Sequence, residues 1–399
     1  MIHENDVVIA GAGIVGLAVA RALLLQEPRL KVLVIEKEED LGLHASGRNS
    51  GVLHAGFYYT PESLKAMFCR DGNTEIRKLA ERHSIPVREV GKVVVARNPE
   101  ELTRLEVLFK RGEANGVQLK FLDAGDLEDF EPLARTHGAF LWSPTTAVSN
   151  PDKIIRALAN EVLALGGKIH FGSTIEVDSE QAISVEGKSL STRYFVNAAG
   201  SQSDRIAHKF DTGLEYSMIP FMGIYRAVAE VKLPLRCLVY PVPHPLNPFL
   251  GVHFTLTSDF KVKIGPTAIP ILGREQYSPT SGWALTDIQS TLKGLGSMLQ
   301  HSAHDLPALI RSEWPKVLTK TLVREAGELV PSVLHVKGWK NKPPGIRSQL
   351  IHRPSGHLEQ DFIVEDGANS IHILNAVSPG WTSAIPFGQY VSERILSRI

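Results

Sequence analysis

Cysteine is almost absent from this 399-residue chain, which holds Cys69 and Cys237 and no other. The two lie far apart and form neither a CxxC pair nor a disulfide framework. That excludes a cysteine-rich zinc site and points to a reducing compartment. Net charge is missing as well, since 43 Lys and Arg balance 43 Asp and Glu. Such a chain has no long-range positive field for nucleic acid and no acidic solvating tail. HExxH, GxSxG and a clustered carboxylate loop do not occur, so no metal site is expected and serine-hydrolase chemistry has no support. The three lysines of 337–342 are too few for a nucleic-acid patch. At 43% hydrophobic and 22% charged the composition is globular, and the length implies two or three domains.

One apolar run approaches membrane-spanning length. Val7 to Leu25 carries a single charge, Arg21. Glu4 and Asp6 precede it in place of a positive n-region, and three glycines interrupt it. It therefore reads as a buried strand, a turn and a buried helix, with no transmembrane segment expected. The expected location is cytoplasmic, with any membrane contact peripheral and made through a local apolar patch.

The pattern opens β-α-β: a strand over 6–10, a helix over 13–26 and a strand over 31–36. Helices are expected over 61–83, 99–115, 151–166, 289–301, 305–317 and 387–397, and strands over 92–97, 168–178, 193–196 and 370–375. Residues 219–270, rich in proline, aromatic and β-branched residues, suggest an antiparallel sheet.

Gly11-Ala12-Gly13-Ile14-Val15-Gly16 follows a strand and opens a helix, the context a dinucleotide-binding turn requires. The first glycine permits the turn, the second admits a pyrophosphate and the third lets helix pack on strand. Glu36, closing the next strand beside Lys37, suits ribose hydroxyls and favours NAD or FAD over NADP. The loop ASGRNSGVLHAGFYY then offers Ser46, Arg48, Asn49, Ser50, Gly51 and Val52 to a flat polar ring system. Two further approaches follow strands, at Ala198-Ala199-Gly200 and at Ser378-Pro379-Gly380-Trp381-Thr382, the latter opening a helix near Thr382 or Ser383. Contact from three distant stretches suits a long cofactor, FAD rather than NAD.

The segments GAGIVG, RNSGVLHAGFYYTPESLKAMFC, VNAAGSQSDRIA, YPVPHPLNPFLGVHFT, KIGPTA, PPGIRSQL and NAVSPGWTSAIPFG resemble the FAD-dependent oxidoreductases of the D-amino-acid oxidase type. Among them the chain is most similar to the L-2-hydroxyglutarate oxidase/dehydrogenase family, nearly end to end. It departs from the family's usual residues at Arg48, Met222 and Gly380-Trp381. The resemblance implies an α/β fold: a discontinuous Rossmann-like FAD-binding domain (1–85, 145–215 and 335–399) and an α+β substrate domain with an antiparallel sheet (86–144 and 216–334). It also implies oxidation of a small L-2-hydroxy acid to the 2-oxo acid by hydride transfer to the flavin, with quinone or oxygen as the electron acceptor.

That chemistry needs a base for the hydroxyl proton, and histidine suits it. His253 is preferred because its strand belongs to the substrate domain, with His54 as the second candidate. His54 or His44 is also placed to carry a covalent flavin link. Arg347 matches the family's carboxylate-binding arginine, and Arg48 is the candidate for a distal acid group. Tyr58, Tyr225 and Tyr240 offer hydroxyls to the substrate, and Trp381 narrows the pocket. The alternatives are an amino-acid or glycine-type oxidase, a non-catalytic protein that keeps the nucleotide fold, and an NAD-only dehydrogenase.

Overall fold

The computed structural model describes residues 4–178, 180–243, 249–278, 280–301 and 305–399. Residues 244–248 of the YPVPHPLNPFLGVHFT segment lie outside the described residues.

The first strand, β1 (Asn5–Ala10), is buried along nearly all its length, as a continuous apolar run demands inside a parallel sheet. It pairs in parallel with β2 (Val32–Ile35) on one side and Thr192–Asn197 on the other. Between β1 and β2 runs α1 (Ile14–Gln26), apolar on nearly every face and buried accordingly. The six-stranded sheet continues to Lys168–His170 at one edge and, through Ser370–Asn375, to Ile363–Asp366 at the other. Only Ile363–Asp366 runs antiparallel to its neighbour.

The expected strand over 168–178 is two strands. Gly172 has a φ of +69° and turns the chain, so Ile175–Val177 joins a separate three-stranded sheet. Helix starts follow their caps. Asn98 accepts from Glu101 N and Asn150 from Lys153 N ahead of Pro99–Ala114 and Pro151–Ala164. Ser63 caps Leu64–Arg82, so that helix begins three residues after Pro61. The closing helix runs Gly380–Leu396, straight through Pro386, and so begins seven residues ahead of the expected 387 and two ahead of Thr382. Its Gly388 lies so near α1 that a Cβ there would stand 2.6 Å from the Ala18 carbonyl carbon.

Two further sheets carry the antiparallel strands expected in the middle of the chain. In an eight-stranded sheet, Lys92–Val95 lies between Leu238–Pro241 and Ala139–Ser143. A four-stranded sheet pairs Tyr216–Gly223 along its whole length with Gly345–His352. The latter strand was not anticipated, and its pairing ties residues of 335–399 to residues of 216–334. Both cysteines are free and buried. Among the described residues no helix is long and apolar enough to cross a membrane.

Candidate active site

The glycine turn is built by exclusion of side chains. Gly11 has a φ of +101°, and a Cβ on it would lie 2.6 Å from Ala198 O. A Cβ on Gly16 would meet Gly11 O at 2.1 Å. β1, Thr192–Asn197 and α1 therefore converge closer than any larger residue allows. Ile14 N donates to Ser46 Oγ at 3.0 Å, tying α1 to the loop over 44–54. Ala12 N donates to Glu36 Oε2 at 2.8 Å and Glu38 N to Glu36 Oε1 at 3.1 Å, which fixes the carboxylate at the tip of β2.

A cavity of about 390 Å³ extends from Glu36 and Lys37 past Gly11, Gly13, Ile14 and Val15 to Ser46, Arg48, Asn49, Ser50 and Val52. Ala198, Ala199, Gly200 and the stretch Ser378-Pro379-Gly380-Trp381-Thr382 complete this part of its wall. Gly16 and Gly51 stand behind the lining; a Cβ on Gly51 would strike Ser149 O at 2.4 Å. α1 and the closing helix both begin at the cavity without a side-chain cap, at Gly13 and Pro379. Two helix N-termini, that of α1 with its first amide engaged by Ser46 Oγ, a glycine turn with no room for a Cβ and a fixed carboxylate fit a long dinucleotide with a central pyrophosphate. Asn49 serves the loop itself, its Nδ2 donating to Ala45 O and Ser46 O and its Oδ1 accepting from Gly51 N. Lys37 pairs with Glu275 and, at 3.3 Å, with Glu38. His44 has both ring nitrogens engaged, Nδ1 with Tyr277 Oη and Nε2 with Glu38.

The other part of the wall carries charge. His54 and Arg347 both line the cavity, with Tyr225, Phe249, Pro266 and Thr267. The backbone around His54 is held from three sides. Asn73 Nδ2 donates to Leu53 O and to His54 O at 3.1 Å each, Cys69 Sγ donates to His54 O, and His54 N donates to Thr382 Oγ1 at 3.3 Å. Its ring, by contrast, leaves a buried Nδ1 with no hydrogen-bond partner. Burial first, then the positive charges of Lys92 and Arg347 together with His253, hold His54 well below the usual histidine range, so the ring is neutral. Arg347 lies over the Phe249 ring at 5.0 Å and has no carboxylate partner among the described residues. Arg48, on the loop, stacks over Tyr277 at 4.2 Å and donates its Nε to Leu43 O. Trp381 lines the cavity with an indole N–H that lacks a partner.

Three expected substrate contacts are placed elsewhere. His253 is absent from the lining; its Nδ1 meets Gly251 O at 2.8 Å, its ring stacks on Tyr240 at 3.9 Å, and burial pushes it down to about 3. Tyr58 and Tyr240 also stand behind the wall, around the ammonium of Lys92. Lys92 itself drew no notice in the sequence beyond opening a strand, because a lysine at a strand start normally faces water. Tyr277 and Arg274 also line the cavity unanticipated, carried there by a segment latched through Arg274 to Asp204.

A family model described as FAD-dependent oxidoreductase matches residues 6–394. The chain is 35% identical over 414 residues to an L-2-hydroxyglutarate dehydrogenase of Caenorhabditis elegans, covering 99% of this chain and 94% of that protein. It is 35% identical over 408 residues to one of Indibacter alkaliphilus (99% and 100%) and 31% identical over 416 residues to one of Homo sapiens (98% and 89%). Among solved structures, FAD-bound L-α-glycerophosphate oxidase of Mycoplasma pneumoniae superimposes with a TM-score of 0.75 at 22% identity, covering 100% of this chain and 95% of that one. Glycine oxidase of Geobacillus kaustophilus gives 0.73 at 18% identity (100% and 96%). The cavity's dinucleotide cradle and these matches lead to one conclusion: the chain belongs to the FAD-dependent oxidoreductase family, with FAD as its cofactor, and groups there with the L-2-hydroxyglutarate dehydrogenases.

Proposed function

We propose that this enzyme oxidises L-2-hydroxyglutarate to 2-oxoglutarate. The observation that carries the reading is an arginine without a carboxylate partner, Arg347, in the same cavity wall as a neutral histidine with a free nitrogen, His54. Bound FAD supplies the hydride acceptor. Arg347 grips the C1 carboxylate through its planar fork. His54 receives the hydroxyl proton on its neutral imidazole as the hydride leaves C2, which balances the conversion of alcohol to ketone. Arg48 reaches the distal carboxylate, and Trp381 narrows the space beside the ring system. The stretches 1–85, 145–215 and 335–399 hold the cofactor, and 86–144 with 216–334 cover the substrate, Gly345–His352 being the strand they share.

The relatives named above are dehydrogenases of this substrate, and that supports it over an amino acid. Anaerobic addition of L-2-hydroxyglutarate to the yellow holoenzyme should bleach the flavin band, with L-lactate far slower because it lacks the distal carboxylate. Bleaching by amino acids alone would overturn the reading. Arg347→Met should lower kcat/KM by about 10³-fold, the scale of a buried charge pair that loses one partner. Oxygen uptake set against reduction of a soluble quinone assigns the acceptor. A quinone would call for peripheral membrane contact, for which the exposed Leu285, Leu292, Leu299, Trp314 and Leu318 are among the apolar side chains on offer.

A further inference from the structure

We infer that Lys92 is a positioning residue for the proton-transfer step: its caged positive charge keeps His54 in the unprotonated form that accepts the substrate's proton. The inference rests on the assignment of His54 as base made above.

Lys92 begins the strand Lys92–Val95 in the interior of the eight-stranded sheet, opposite Ser143 on one side and Leu238 on the other. It is fully buried and its Nζ has no hydrogen-bond partner among the described residues. Around that nitrogen stand three rings, Phe57 at 4.5 Å, Tyr58 at 4.6 Å and Tyr240 at 4.8 Å. Ring faces attract an ammonium, and without them a lysine so placed would surrender its proton more readily. The cage also joins the two histidines. Phe57 and Tyr58 follow His54 in the same loop, and Tyr240 stacks on His253.

Every charge that faces His54 is positive. Lys92 from its strand and Arg347 from Gly345–His352 both oppose protonation, while His253, itself pushed down to about 3 by burial, stands neutral beside them. Cys69, from Leu64–Arg82, and Tyr58 and Tyr240 in the cage are all held neutral by burial. Asp71, Glu75 and Glu81 of Leu64–Arg82 are not among the groups that act on His54, so no acid offsets the field there. Burial pushes Lys92 down to about 7, so it is charged on the acid side, where His54 would otherwise pick up a proton. The field is thus present at the pH at which the base is at risk. Lys92 does not line the cavity, and it acts through His54 rather than on the substrate.

The test uses yellow holoenzyme in three variants. Lys92→Met and Lys92→Gln remove the charge; Lys92→Arg keeps it. Nitrogen NMR of histidine-labelled protein, with the His54 signal assigned by its loss in His54→Gln, follows protonation without turnover. His54 should gain its proton about one pH unit higher in Lys92→Met and Lys92→Gln, the size expected for a unit charge several Å away in the interior. The acid limb of kcat/KM should climb by the same amount, and Lys92→Arg should leave both where they are. A His54 titration unmoved in both neutral variants overturns the role of Lys92. A titration that moves while the acid limb stays fixed upholds that role and overturns His54 as the base.

Discussion

One part of the cavity wall is made of backbone and the other of buried charge. Along the cofactor side, Gly11, Gly16 and Gly51 leave no room for a Cβ, and what faces the cavity is mostly small residues, main chain and helix ends. Along the side proposed for the substrate, His54 and Arg347 project from a loop and a strand nearly 300 positions apart, with Lys92 behind them. The first surface is defined by atoms that are missing. The second is defined by protons and charges that few neighbours balance. Damage therefore takes opposite forms, added volume on one side and lost charge on the other.

The largest effect should come from adding volume. Gly11→Val places a branched side chain at a positive φ against Ala198 O, and the purified protein should be colourless. An absorption spectrum checks this, and a yellow Gly11→Val protein would break the contrast between the walls. Next, His54→Gln should retain FAD yet lower kcat by about 10²- to 10⁴-fold, the usual share of a general base. Because burial and positive neighbours hold His54 below its ordinary range, wild-type activity should be level around neutrality and fall only well into the acid range. A pH–rate profile reads this directly, and His54→Gln should lose that acid limb.

Smaller changes sharpen the boundary between the walls. Glu36→Gln keeps its shape but weakens a charge-assisted bond, and should loosen FAD about tenfold by titration calorimetry. Arg48→Met should raise KM for L-2-hydroxyglutarate by up to about tenfold and change little for L-lactate, since Arg48 is only partly buried and solvent already competes for its charge.

These contrasts also explain what the sequence made legible. The turn over 11–16, α1 and Glu36 are dictated within about thirty residues, and their spacing states the geometry outright. The closing helix runs on through Pro386, although proline in a helix interior removes a hydrogen bond and ordinarily kinks or breaks the helix. Here the carbonyl it frees is that of Thr382, which Gly72 of Leu64–Arg82 packs against, so the helix continues through it. Gly345–His352 was unread because two prolines precede it and its partner strand lies some 130 residues upstream. Position favoured His253 over His54, because its strand belongs to the expected substrate domain, yet it is His54 that lines the cavity. Which ring faces the cavity depends on Asn73, Cys69 and Thr382 fixing a loop, and on Tyr240 and Gly251 O engaging the other ring.

The contact between Gly388 and Ala18 has a consequence in time. β1 and α1 (ending at Gln26) precede the closing helix (starting at Gly380) by more than 350 residues, so they are synthesised well before it. Until residues beyond 380 emerge, the apolar surface of α1 that Gly388 will cover stays open and the cofactor wall lacks its final side. The cofactor wall is therefore complete only once that late segment is in place. A chain cut short of that helix should purify colourless and prone to aggregate, which an absorption spectrum and light scattering would check.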